Sequence, residues 1–170
     1  MGKFPKNIQF VDRTFINFKD QTYRWIDIKR FQYKCDPVDS KILLSILIAD
    51  RHYRDSYDLE NSHIEDSKTI HGPYLLSRIS VASFDRADIE GVKTSLNKFC
   101  EYAGVLPAKE VTRRIKRDVF DQVRRATGVY RLRRLQNAKH DRGWVLDEFR
   151  EFVIIDGVQK ELLLVVGAID

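Results

Sequence analysis

Phe149-Arg150-Glu151-Phe152-Val153-Ile154-Ile155-Asp156-Gly157-Val158-Gln159-Lys160-Glu161-Leu162-Leu163-Leu164-Val165-Val166 sets two apolar runs on either side of an Asp-Gly pair. Asp-Gly favours the positive-φ turns that join antiparallel strands, so residues 149–155 and 158–166 are predicted to form a hairpin. Leu162 to Val166 shows no polar alternation. A strand of that kind has no face to give to solvent, which predicts that it runs through the middle of a sheet and is covered on both sides.

The other end of the chain also reads as a hairpin. Residues 8–18 alternate, with Phe10, Thr14, Ile16 and Phe18 on one side and Val11, Arg13, Phe15 and Asn17 on the other. Lys19-Asp20-Gln21 breaks the pattern, and residues 22–34 form a second predicted strand rich in aromatic and β-branched side chains.

Helices fill the middle. Asp36-Pro37-Val38-Asp39 carries an acidic N-cap and a proline at the first helical position. The next run, Ile42 to Ile48, is apolar all round and would suit a buried strand, but the start signal selects a helix over 37–50. Residues 51–72 read as an irregular loop and Tyr74–Phe84 as a strand. Asp85 is the expected cap of a helix over 86–103, with the stripe Ile89, Val92, Leu96, Phe99 and Ala103. Pro107 opens a second helix reaching Thr127, in which Val111, Ile115, Val119 and Val123 recur every fourth residue. Strands, then helices, then strands predict an α+β fold: a single domain over 1–170 with an N-terminal β-hairpin, central helices and a C-terminal β-hairpin.

Composition excludes several classes. Of the 170 residues 43% are hydrophobic and 32% charged, as in soluble globular proteins. No apolar run nears the ~20 residues of a membrane span. Met1-Gly2-Lys3-Phe4-Pro5 opens neither a signal peptide nor a myristoylation site. Cys35 and Cys100, the two cysteines, are too few for a disulfide scaffold and read as reduced thiols. The expectation is a cytoplasmic, intracellular protein with no membrane partner.

The functional signal lies in charge segregation. Leu106–Gly143 holds twelve basic residues against four acids, a net +8, while the whole chain is +5. Segregated positive charge is the electrostatic footprint of a polyanion binder, and arginine adds bidentate phosphate geometry. At 100° per residue Arg113, Arg117 and Arg124 fall within about 40° of one another, opposite the apolar stripe. The expected function is nucleic-acid binding, DNA or RNA undecided. Lys109, Arg113, Arg117 and Arg124 contact phosphates from this arginine-rich helical face, and Arg131, Arg133 and Arg134 do so just beyond it. A rival reading is a protein-interaction or assembly module that docks an acidic partner. Trp144–Asp170 has two bases and six acids, so another copy could supply that partner and build a head-to-tail homo-oligomer.

A second rival is catalytic. Trp25-Ile26-Asp27-Ile28-Lys29 is similar to the hydrophobic strand bearing Asp-x-Lys in the restriction-endonuclease superfamily. The resemblance implies a Mg²⁺-dependent nuclease of the PD-(D/E)XK type, with Asp12 on the neighbouring strand as partner acid. The same spacing recurs at Asp39/Lys41 and Asp66/Lys68, so spacing alone specifies no site. The helices at 86–103 and 107–127, joined through Gly104-Val105-Leu106, also have helix-turn-helix spacing. Tyr23, Trp25, Phe31 and Tyr33 share one side of the second strand and read as core. His52, His63, His71 and His140 stand apart, without zinc-site spacing, and read as surface or loop residues. No nucleophile elbow, phosphate loop or dinucleotide fingerprint occurs. No catalytic residue, metal or cofactor is therefore assigned.

Overall fold

The computed structural model describes residues 8–34, 39–57 and 68–170. Its centre is a six-stranded antiparallel sheet. The strands are β1 (Gln9–Asn17), β2 (Arg24–Gln32), β5 (Phe84–Ala87), β6 (Gly128–Leu132), β7 (Asp147–Asp156) and β8 (Glu161–Ile169), in the spatial order β1-β2-β8-β7-β6-β5. A minor ribbon pairs β3 (Ile70–His71) with β4 (Tyr74–Leu75). The fold is α+β, and both terminal hairpins lie in the one sheet.

The C-terminal hairpin forms with a longer loop than expected. Asp156 still pairs with Glu161, and the Asp156 carboxylate accepts from the backbone N–H of Val158 and Gln159 to shape the turn. β8 sits between β2 and β7, as its unbroken apolar run requires. Leu162, Leu164 and Val166 face one layer, and Leu163 and Val165 face the other. Gly167 serves the second layer, because a Cβ there would lie 3.3 Å from the Phe99 ring.

One layer contains α1 (Ser40–Ala49) and much of the irregular chain that connects the elements. The helix reading of this stretch holds. Its cap is Asp39, whose side chain accepts from the Lys41 N–H; the proline start at 36–37 lies outside the described residues. The other layer contains α2 (Ile89–Cys100), α3 (Lys109–Ile115) and α4 (Asp121–Arg125). α2 is capped by Asp88, which accepts from Gly91 N–H, and not by Asp85. Residues 84–87 instead form β5, which pairs with β6. The strand expected over 74–84 is two residues of β4, two short 3₁₀ turns and then β5.

Two details of the N-terminal hairpin differ from the alternation pattern. A bulge between Phe10 and Asp12 turns Phe10 to the side of Phe15, where it meets Phe31 edge-on. Trp25, Phe31 and Tyr33 are core, but Tyr23 lies in the turn at φ 58° and is 72% exposed.

Arg24 joins this hairpin to α2. Its fully buried guanidinium donates to the carbonyls of Phe99 (2.8 Å), Cys100 (2.6 Å) and Val105 (3.0 Å), to the Asp20 carboxylate (2.8 Å) and to the Thr22 hydroxyl (2.7 Å). The Phe99 and Cys100 carbonyls end a helix and have no partner within it, so one planar cation satisfies them. Arg24→Met, which leaves Asp20 and the carbonyls unpaired, is expected to cost about 3 kcal/mol. It should appear as a lower urea midpoint at unchanged slope, and Arg24→Lys should recover only part, because an ammonium lacks the fork. An unshifted midpoint in Arg24→Met would show that the clip contributes nothing.

Candidate nucleic-acid interface

The predicted cationic helix is not one continuous α-helix. Between α3 and α4 the chain makes a turn of π-helix, Lys116–Phe120, with the Asp121 N–H donating to the Lys116 carbonyl five residues back. The strict spacing Val111, Ile115, Val119, Val123 explains it. On an α-helix each step of four drifts by about 40°, so the stripe would rotate by about 120° over its length. One extra residue in the wide turn absorbs the drift and leaves Ile115, Val119 and Val123 all buried. The same turn rotates the residues after it by about 100° relative to a regular α-helix. Arg124 leaves the row of Arg113 and Arg117, and Arg125 enters it.

Ion pairs neutralise part of this face. Arg117 Nε lies 2.6 Å from Asp118, and Arg124 lies 3.4 Å from Asp121. Lys109 and Arg113 have no ion pair among the described residues. α3 packs over β1 at one edge of the sheet, whereas β6, which carries Arg131, lies next to the strand at the other edge. Four strand spacings, about 19 Å, separate β1 from β6. The seven expected contact residues therefore fall into two groups. Helix-turn-helix geometry is also absent, since residues 101–108 separate α2 from α3 and include a 3₁₀ turn, Tyr102–Gly104.

The second group lines a cleft of about 590 Å³ where β6 ends and β7 begins, with α2 as a wall. Arg131, Arg133 and Arg134 enter it together with Lys98, Lys139 and Arg150. Arg133 lies 3.8 Å from Asp85 and donates to the Ala82 carbonyl. Arg150 donates to the Ser95 carbonyl (2.6 Å) and to Glu148 (2.7 Å). Lys98, Arg131, Arg134 and Lys139 have no ion pair among the described residues. An adjoining depression of about 400 Å³ shares Arg133 and Arg134 and adds Arg78. Sequence reasoning missed Lys98, Arg150 and Arg78, which come from other elements and carry no local signal.

The acid pair of the nuclease reading does not form. Asp12 is 3.7 Å from Arg30, whereas Asp27 is fully buried and accepts from Arg13 Nε at 2.5 Å. Lys29 donates to Asp55 (2.7 Å) and to the His52 carbonyl (2.8 Å), and Arg13 also reaches Asp55 at 3.1 Å. The cluster is thus an ionic knot, with two cations already between its two carboxylates. Tyr57 covers it, stacking on Trp25 with Lys29 Nζ 5.0 Å from its ring centre. Among the described residues no group of His, Cys, Asp and Glu is arranged to hold a metal ion.

His71 is a core residue, contrary to the surface reading. It is fully buried, bonds the Tyr53 carbonyl through Nδ1 and lies 2.5 Å from Glu151 through Nε2. Tyr53 donates to the same carboxylate at 2.9 Å. His52 stacks on Phe10, His140 bonds the Gly72 carbonyl, and His63 lies outside the described residues. Cys100 is a free, buried thiol that burial pushes up to about 11, while Cys35 lies outside the described residues. Among the acids of the C-terminal strands, Asp147 is exposed without an ion pair among the described residues, and the others are taken up. Glu151 and Asp156 are buried, Glu161 meets Arg30 and Glu148 meets Arg150. No helix among the described residues is long and apolar enough to cross a membrane.

The knot's two carboxyls are shifted in opposite directions. Burial raises Asp27, and Arg13 only partly offsets it, so its carboxyl stays above the ordinary range. Burial also raises Asp55, but Lys29, the Tyr57 N–H and Arg13 outweigh it and hold that carboxyl below the ordinary range. A raised native pKa gives stability at low pH that is lost as pH rises through it; a lowered one gives stability above the unfolded value that is lost on acidification. Urea unfolding at several pH values is the check. Relative to wild type, Asp27→Asn should gain as pH rises from about 4 towards 7. Asp55→Asn should be destabilising at neutral pH, with its deficit shrinking below about pH 4. Parallel pH profiles for the two variants would contradict this assignment.

No protein-family model matches the chain, and no curated protein matches its sequence. Two crystal structures of citrus MAF1 are similar to it, one at 13% identity with a TM-score of 0.39, covering 90% of this chain and 93% of that one. The other is 11% identical with a TM-score of 0.35, over 86% of this chain and 89% of that one. At these values the likeness gives no residue a role.

Proposed function

We propose that this protein binds nucleic acid, with phosphates held by the cations of the β6–β7 cleft. One observation carries the reading. Lys98, Arg131, Arg134 and Lys139 converge on one concavity without an ion-pair partner among the described residues. Cations held close together repel one another, and an anion that enters the cleft relieves that repulsion. Arg133 and Arg134 carry the positive surface on into the neighbouring depression with Arg78, a track longer than one phosphate. Lys109, Arg113 and Arg117 form a separate, partly neutralised face and are secondary contacts.

Fluorescence anisotropy of labelled single- and double-stranded DNA and RNA over a salt series is the test. Log affinity should fall linearly with log salt, with a slope reporting several phosphate contacts. Arg131→Glu with Arg134→Glu should flatten that slope by about two and weaken binding by at least about tenfold near 0.1 M salt. Arg113→Glu with Arg117→Glu should do less. An absence of binding at low salt overturns the reading.

A further inference from the structure

The cleft holds two groups that phosphate binding leaves unused. Tyr102, on the turn after α2, lines it and is 43% exposed. Asp147, at the start of β7, also lines it and is exposed, its carboxylate without a hydrogen bond or ion pair among the described residues. Its neighbour Glu148 is taken up by Arg150. The backbone here is distorted: β7 bulges between Asp147 and Arg150, with Glu148 at φ 51°. Bulges with such costly dihedrals persist where they aim side chains, and they cluster at binding sites.

A free carboxylate among cations repels a phosphate, so a ligand that suits the whole cleft must bring hydrogen-bond donors as well as negative charge. Nucleotides with an amino-bearing base bring both. We propose that the cleft takes one unpaired nucleotide of a single strand, a reading that rests on the nucleic-acid function above. The base stacks on Tyr102, the exocyclic amine of cytosine, adenine or guanine donates to Asp147, and the flanking phosphate meets Arg131 and Arg134. Thymine and uracil fit less well, since their one N3–H lies between two carbonyl oxygens that repel a carboxylate. A duplex is excluded on two grounds. Its base faces are stacked on one another and closed to Tyr102, and its width does not enter a cleft of about 590 Å³, which is within the size range of a small-molecule pocket.

The test compares oligo(dC), oligo(dT) and a duplex of the same length by anisotropy at neutral pH and low salt, with each variant's urea midpoint confirming its fold. Oligo(dC) should bind most tightly. Asp147→Asn should erase its advantage over oligo(dT). Tyr102→Ala should weaken both single strands by about 5- to 150-fold and leave the duplex unchanged, while Tyr102→Phe restores binding. If salt-sensitive binding persists but Tyr102→Ala is silent, or the duplex binds as well as oligo(dC), the single-nucleotide site is wrong and phosphate binding stands. Binding of none of the three probes overturns both.

Discussion

β8 cannot give either face to water, and the rest of the architecture depends on that constraint. Its eight residues from Leu162 to Ile169 are buried. A strand in that position must be paired on both edges and covered on both faces. The pairing comes from both ends of the sequence, β2 from the N-terminal hairpin and β7 from its own. The covering comes from the middle, with α1 on one face and α2 to α4 on the other. Pairing of β2 with β8 makes Leu162–Ile169 the partner of the chain's opposite end, so the sheet closes only late in the sequence.

That arrangement buries β2 deeply, and β2 is not an apolar strand. Arg24, Asp27 and Lys29 lie within it at 3% exposure or less. Buried charge is costly unless it is paired and hydrogen-bonded, and each of the three has a partner from a distant segment. Arg24 meets the end of α2, Asp27 meets Arg13 on β1, and Lys29 meets Asp55 beyond α1. An apolar β2 could pair in several registers at similar cost. The charges accept only the register that brings these partners within reach, so they contribute specificity where the aliphatic neighbours contribute stability.

Legibility in the sequence depends on the range of the signal. Both hairpins and the central place of β8 are legible because alternation, its absence and Asp-Gly are local. The helix at α1 is legible through its start signal, although its cap is Asp39. Three features are not. β6 is five residues long and only two residues separate it from α4, so its brief alternation merges with the end of the predicted helix. The π turn is written in the strict spacing of four from Val111 to Val123, but a fixed 100° per residue conceals it. His71 reads as a loop residue because Glu151, eighty positions away, has no sequence relation to it.

The same distinction locates the cationic surface. On a helix, acids three or four residues away lie beside a base whatever the tertiary fold does, as Asp121 does beside Arg124, and Arg117 meets the adjacent Asp118 in the π turn. Charge counted along a helix therefore overstates what reaches solvent unpaired. At a strand end no such periodicity operates. Arg131 sits one residue before the end of β6, Arg133 and Arg134 follow where the strand stops, and the neighbours of their side chains are set by tertiary packing alone. That packing brings Lys98 from α2 and Lys139 from the next loop, both cations. Self-repulsion of this kind destabilises the fold unless a ligand offsets it. Net positive charge is most informative where local geometry denies it a partner, and in this chain that place is the cleft.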